Sequence, residues 1–198
     1  MQAKLSASNL ACRRGDRLLF RALSFELNAG EAMHLTGANG TGKTTLIRAL
    51  AGLTTPFAGE ISREGEIGLL DERIALDPDQ PLGKALAFWA RIDNCADRSN
   101  AMIQLGLEPL LEVPVRYLST GQRKRAAMAA LLGRSVPVWL LDEPLSGLDT
   151  SAIATVSALI GQHVTNGGIA LIASHQSLAI EGLQTLELGG FVPTRETA

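Results

Sequence analysis

Gly37-Ala38-Asn39-Gly40-Thr41-Gly42-Lys43-Thr44 decides how the rest of this chain is read. The stretch fits the pattern GxxxxGK[ST], and its flanks supply the context that pattern needs. An apolar run, Ala32–Thr36, precedes it, and Leu46, Ile47, Leu50 and Leu53 follow it at helical spacing. A strand, a glycine-rich loop and a helix over Lys43–Leu53 are therefore predicted. Glycines let backbone N–H groups curl around phosphate oxygens, and the positive end of the helix macrodipole faces the same charge. In this reading Lys43 reaches the β and γ phosphates of a nucleoside triphosphate and the Thr44 hydroxyl ligates magnesium (Mg2+), while Gly37, Ala38, Asn39, Gly40, Thr41, Gly42 and Thr45 line the nucleotide. Average composition makes a chance match to the four fixed positions an event on the order of one chain in a hundred of this length.

A second stretch, Pro137-Val138-Trp139-Leu140-Leu141-Asp142-Glu143-Pro144, is an apolar strand ending in paired acids. Such strand ends are common alone, but behind a phosphate loop they place two carboxylates where a sheet meets the nucleotide. Asp142 suits a magnesium contact, and Glu143 suits the general base that polarises the water attacking the γ-phosphorus. Strands at Val138–Leu141 and Ile169–Ala173, with a helix over Ser151–His163 between them, predict a mainly parallel α/β sheet.

Upstream, Leu18–Phe20 and Leu23–Leu27 alternate with the turn residues Asn28, Ala29 and Gly30 and read as antiparallel strands. The middle, residues 82–133, reads as a helical subdomain with helices at Ala85–Ile92, Ser99–Leu105 and Gly121–Leu132. Phe191–Ala198 reads as a loosely held tail. One domain spanning residues 1–198 is expected from this size and composition, 46% hydrophobic and 19% charged.

A formal charge of -2 and a pI near 5.9 give no basic face for nucleic acid, so that partner is not expected. Mean hydropathy is +0.15, yet every apolar run falls far short of the roughly 18 to 20 residues that span a bilayer. The first twenty residues lack an apolar core followed by a small-residue cleavage site, which points to the cytoplasm. Cys12 and Cys95 belong to no metal or haem-attachment pattern and read as reduced structural thiols.

Leu118-Ser119-Thr120-Gly121-Gln122 opens a helix with a serine N-cap and a glycine that permits close backbone approach. This run resembles the signature of ABC ATPases, LSGGQ in its commonest form, and it sits where the signature belongs, between the phosphate loop and the paired acids. Ser146-Gly147-Leu148-Asp149 is similar to the family's D-loop, and His175 in Ala173-Ser174-His175-Gln176 to its switch histidine. The resemblance implies a P-loop NTPase of ABC type: a mainly parallel sheet core, an N-terminal antiparallel β region and a helical subdomain. It implies ATP as substrate, Lys43, Glu143 and His175 as catalytic residues, and a second copy of the chain bound head to tail. Ser119 and Gly121 then contact the partner's nucleotide, and Asp149 links the two sites. It also implies integral membrane subunits as partners and a peripheral place on the cytoplasmic side of the bacterial inner membrane. His34 and His163 have no such placement and read as packing or surface residues.

Further runs, Leu10–Phe20, Leu23-Ser24-Phe25, Ala29-Gly30-Glu31, Leu86–Ala90 and Val113-Pro114-Val115, resemble the ATP-binding subunits that serve haem export in bacterial cytochrome c maturation. That resemblance implies ATP use in haem export or in release of a haem carrier. Two positions depart from the wider family. Arg14 stands where most members stack an aromatic on adenine, either stacking its guanidinium there or remaining a solvated loop residue. Glu72 falls by count at the glutamine-loop position, near the magnesium, with Gln80 a less fitting alternative. The strand region between Gly59 and Leu70 is also short for the family. Other readings are an exporter ATPase for another substrate, a soluble non-transport ABC ATPase, a small nucleotide kinase and a non-catalytic nucleotide-binding regulator. The kinase makes LSTGQ an accident, and the regulator conflicts with the presence of both Lys43 and Glu143.

Overall fold

The computed structural model describes residues 2–71, 75–93 and 99–193. Glu72 and Cys95, and the tail beyond residue 193, lie outside the described residues. The chain opens with β1 (Lys4–Arg14) and β2 (Arg17–Asn28), paired antiparallel across a turn at Gly15-Asp16. The two apolar segments expected as separate strands both lie on β2. Ala22, at φ 56, breaks the register between Leu10 and Cys12, and that irregularity is what made one strand read as two.

β3 (Ala32–Thr36) has the expected bounds and leads through the glycine-rich loop into α1 (Lys43–Leu50). α1 stops short of Leu53. Gly52 turns left-handed at φ 78, and Leu53 N–H donates to Arg48 O at 2.9 Å, a Schellman closure that ends the helix while Leu53 still carries the apolar period. β4 (Ala58–Glu64) and β5 (Ile67–Leu70) follow, then the helices α2 (Leu82–Ile92), α3 (Ser99–Gln104) and α4 (Thr120–Gly133). α2 and α3 both pack on α4, so the predicted helical region forms one packed group. β6 (Val138–Asp142), α5 (Thr150–Thr165), β7 (Ile169–Ala173) and β8 (Gln184–Glu187) complete the chain.

The strands form two sheets. One is antiparallel in the order β2-β1-β4, and the other is parallel in the order β5-β6-β7-β3-β8. Successive side chains of a strand point to opposite faces, and here both faces of the parallel sheet are covered. Val138 and Leu140 of β6, with Ile169, Leu171 and Ala173 of β7, face a core shared with α1 and the antiparallel sheet. Trp139 and Leu141, with Ala170 and Ile172, face the core built with α2, α4 and α5. Phe191, expected in a loose tail, instead ends a short 3-10 turn, Leu188–Phe191, and packs against the first of these cores.

Candidate active site

β5, β6, β7 and β3 are adjacent and parallel, so their carboxyl ends share one edge of the sheet, where ligands of such folds gather. That edge presents Asp71, Asp142-Glu143, Ser174-His175 and the loop 37–44 side by side. The loop's conformation depends on its glycines. Gly42 precedes α1 at φ 110, a conformation that favours glycine, and a Cβ there would lie 3.1 Å from a ring carbon of Phe20, a tight fit that the ring would have to relieve.

Lys43, almost buried, folds back on the loop. Its Nζ donates to Gly37 O at 2.7 Å and to Ala38 O at 3.3 Å, and lies 3.2 Å from His175 Nε2. The same imidazole nitrogen is 2.8 Å from Asn39 Oδ1. One nitrogen cannot accept from Lys43 and donate to Asn39 at once, so the tautomer of His175 selects between these two loop residues. Glu143 approaches the same ring nitrogen. Its Oε1 is 3.7 Å from His175 Nε2, and its Oε2 lies 3.5 Å from the His175 backbone N–H.

Glu143 is held in a left-handed conformation, φ 49, by its surroundings. Its N–H donates to Ala173 O at 2.8 Å, extending the β6–β7 pairing, while Ser146 Oγ donates to Glu143 O at 3.1 Å. A non-glycine residue in that region costs about 1–2 kcal/mol, and here the strained turn aims the carboxylate at the loop. Asp142, one residue earlier, is buried, and its carbonyl accepts from Lys124 Nζ at 3.2 Å.

These groups surround a cavity of about 440 Å³ whose wall includes Arg14, Asn39, Lys43, Thr44, Glu143 and His175. A second cavity of about 530 Å³ shares Arg14, Thr44, Thr45 and Asp142 with the first and is otherwise bounded by Arg13, Arg48 and Asp71, among others. Arg48 pairs with Asp71 at 3.3 Å, and Arg13 lies over the Phe57 ring at 5.1 Å. Arg14, at the seam of the two cavities, is the guanidinium best placed toward the loop.

The structure thus brings together Arg14, the loop residues, Asp142, Glu143 and His175. It does not bring Ser119, Gly121 or Asp149 to that cavity. Ser119 caps α4 in a reciprocal box with Gln122, and Asp149 caps α5 by accepting from Ala152 N–H at 2.8 Å. Gly121 lies against the loop before α5, where an added Cβ would sit 2.5 Å from Gly147 O. Gln80 sits in the turn before α2, held through its backbone by Val115 and Asp77. His34 contacts Ser174 O at 2.9 Å, and His163 stacks on Trp139 at 3.8 Å, both away from the cavities. The sequence did not point to three residues: Asp71, Ser146 and Lys124. Asp71 was within reach, since an acid directly follows β5 beside Asp142. Ser146 belongs to the D-loop-like run without a role of its own there, and Lys124 lies between Arg123 and Arg125 with nothing local that marks it as buried.

Residues 20–146 match the family model described as ABC transporter. The chain is 56% identical over 189 residues to the cytochrome c biogenesis ATP-binding export protein CcmA of Novosphingobium aromaticivorans, covering 96% of this chain and 97% of that protein. It is 48% identical to the protein of the same name from Zymomonas mobilis, covering 96% of this chain and 86% of that one. The chain belongs to the ABC transporter family, among its cytochrome c biogenesis ATP-binding export proteins.

Solved structures agree on the fold. An ABC transporter ATP-binding protein from Pyrococcus furiosus superposes with a TM-score of 0.82 at 23% identity, over 96% of this chain and 100% of that one. A metal-chelate type ABC transporter in an inward-facing conformation gives 0.77 at 26% identity, over 95% and 80%. As an ABC ATP-binding subunit the chain hydrolyses ATP for a transporter, and it works with membrane subunits. Among the described residues no helix is long and apolar enough to cross a membrane.

Proposed function

We propose that this chain powers haem export, or release of a haem carrier, in c-type cytochrome biogenesis, as a head-to-tail dimer on the cytoplasmic face of the bacterial inner membrane. The observation that carries the chemistry is the convergence of Lys43, Glu143 and His175 on one cavity, with His175 Nε2 at 3.2 Å from Lys43 Nζ and 3.7 Å from Glu143 Oε1. ATP enters with its triphosphate on the loop 37–44, where Lys43 exchanges the Gly37 and Ala38 carbonyls for the β and γ phosphates. Glu143 accepts the proton of the water that attacks the γ-phosphorus, and His175 reads the γ-phosphate. Arg14 flanks the base and sugar. Ser119 and Gly121 of the second copy close the site, and Asp149 bridges the two.

Thr44 and Asp142 share walls of both cavities, a hydroxyl and a carboxylate that fit magnesium arriving with the nucleotide. Magnesium in nucleotide sites is held by one or two protein oxygens together with substrate phosphates and waters, and Thr44 and Asp142 would be those protein ligands here. The ion would offset charge on the triphosphate. Asp71, paired with Arg48 in the same wall, directly follows β5, stands next to Glu72 in the chain and is the described acid nearest this role.

The test is haem-stained c-type cytochrome in cells whose only copy is wild-type or Glu143→Gln. Loss in the variant alone, with ATP retained by the purified protein and turnover reduced by at least 100-fold, supports the role and the base together. Equal cytochrome in both leaves the ATPase standing and removes the haem pathway.

A further inference from the structure

Among the described residues Lys124 is one of few buried charged side chains, yet it is not in the wall of the nucleotide cavity. It lies in the first turns of α4, three residues after Gly121, so the two share a face of the helix. Gly121 abuts the carbonyl of Gly147, and Lys124 Nζ donates to the carbonyl of Asp142 at 3.2 Å. The two contacts bracket the segment Asp142–Gly147, which contains Glu143 at φ 49 and the Ser146 hydroxyl that holds the Glu143 carbonyl. Burying an ammonium costs several kcal/mol unless it is matched.

We propose that Lys124 is a positioning residue for hydrolysis. It fastens the Asp142-Glu143 peptide to the helix that begins with Ser119, so the direction of the Glu143 carboxylate follows the position of α4. The ammonium has the length to span from the helix axis to the end of β6 and the donors to hold a backbone carbonyl there. Gly121 sets how closely α4 approaches, and Lys124 sets its rotation about that contact. A shift of α4 on its seat is thereby passed to the base without any side chain of α4 entering the cavity. This inference rests on Glu143 as the base.

The experiment compares purified full-length wild type with Lys124→Met, Lys124→Arg and Glu143→Gln, by steady-state ATPase kinetics, equilibrium binding of a fluorescent ATP analogue and thermal melting. Lys124→Met is expected to lower kcat at least tenfold while KM and analogue binding stay within twofold, and Lys124→Arg, which keeps a long donor, to recover most of kcat. A kcat within twofold of wild type in Lys124→Met overturns the proposal. So does a loss that Lys124→Arg fails to recover, or one in which binding and melting fall in parallel with kcat. Turnover persisting in Glu143→Gln refutes the base itself, which separates that failure from one of Lys124 alone.

Discussion

His163 stacks on the indole of Trp139 with planes 5° apart, and its Nε2 lies 3.2 Å from Ile169 O. The ring leaves no room for a larger neighbour, since a Cβ on Gly168 would fall 2.2 Å from Nε2. Burial pushes the imidazole pKa below its ordinary 6.5, and the carbonyls of Ile169 and Pro137 only partly oppose this. The fold therefore prefers the neutral ring, while the unfolded chain takes up a proton as pH falls through about 6.5. Stability from this group is complete above that value and is lost as pH drops below it. Denaturant melts between about pH 7.5 and 5 should show wild type losing more stability than His163→Gln, which does not titrate and still offers a donor to Ile169. Parallel slopes would mean that the ring does not sense pH through the fold.

At the scale of elements, the junction between α4 and the loop 143–149 admits no slack. Gly121 meets the backbone oxygen of Gly147, which is itself left-handed at φ 75, so neither partner yields as a flexible side chain does. Gly121→Ala should destabilise the protein by about 1–3 kcal/mol through overpacking, despite the roughly 1 kcal/mol that alanine gains in a helix. The check is the unfolding midpoint, and a variant more stable than wild type would remove the close approach. This junction also marks where reading the sequence stopped. β3, the glycine-rich loop, β6 and β7 were legible because fixed glycines, a Lys-Thr pair and an acid pair punctuate apolar runs. The exposed strands β4 and β8 carry no period, and the irregularity at Ala22 divided β2. The neighbours of Glu143 and Lys43 in the cavity were legible as motifs. The buried link from Lys124 was not, since burial of one lysine in Arg123-Lys124-Arg125 is decided by tertiary packing alone.

On the scale of the whole molecule, the residues named by the motifs fall into two groups that one copy does not unite. Lys43, Glu143 and His175 surround the cavity, while Ser119, Gly121 and Asp149 sit off its wall, at the starts of α4 and α5. Ser119 is exposed, and among the described residues its hydroxyl bonds only within its own helix cap, which suits the proposed contact with a second copy's nucleotide. The proposed head-to-tail dimer would tie association to ATP: two nucleotides would become part of the interface, and hydrolysis would remove that contact. Glu143→Gln should therefore run as a monomer without nucleotide and as a dimer with millimolar ATP and magnesium, measured by light scattering after gel filtration. Adding Ser119→Arg to that variant puts a bulky cation on the exposed start of α4, at a cost of about 1 kcal/mol for the lost cap. The double variant should still bind ATP on its own loop yet stay monomeric. A double variant that dimerises as readily as Glu143→Gln would place the interface elsewhere on the chain, and with it the division of the site between two copies would fall.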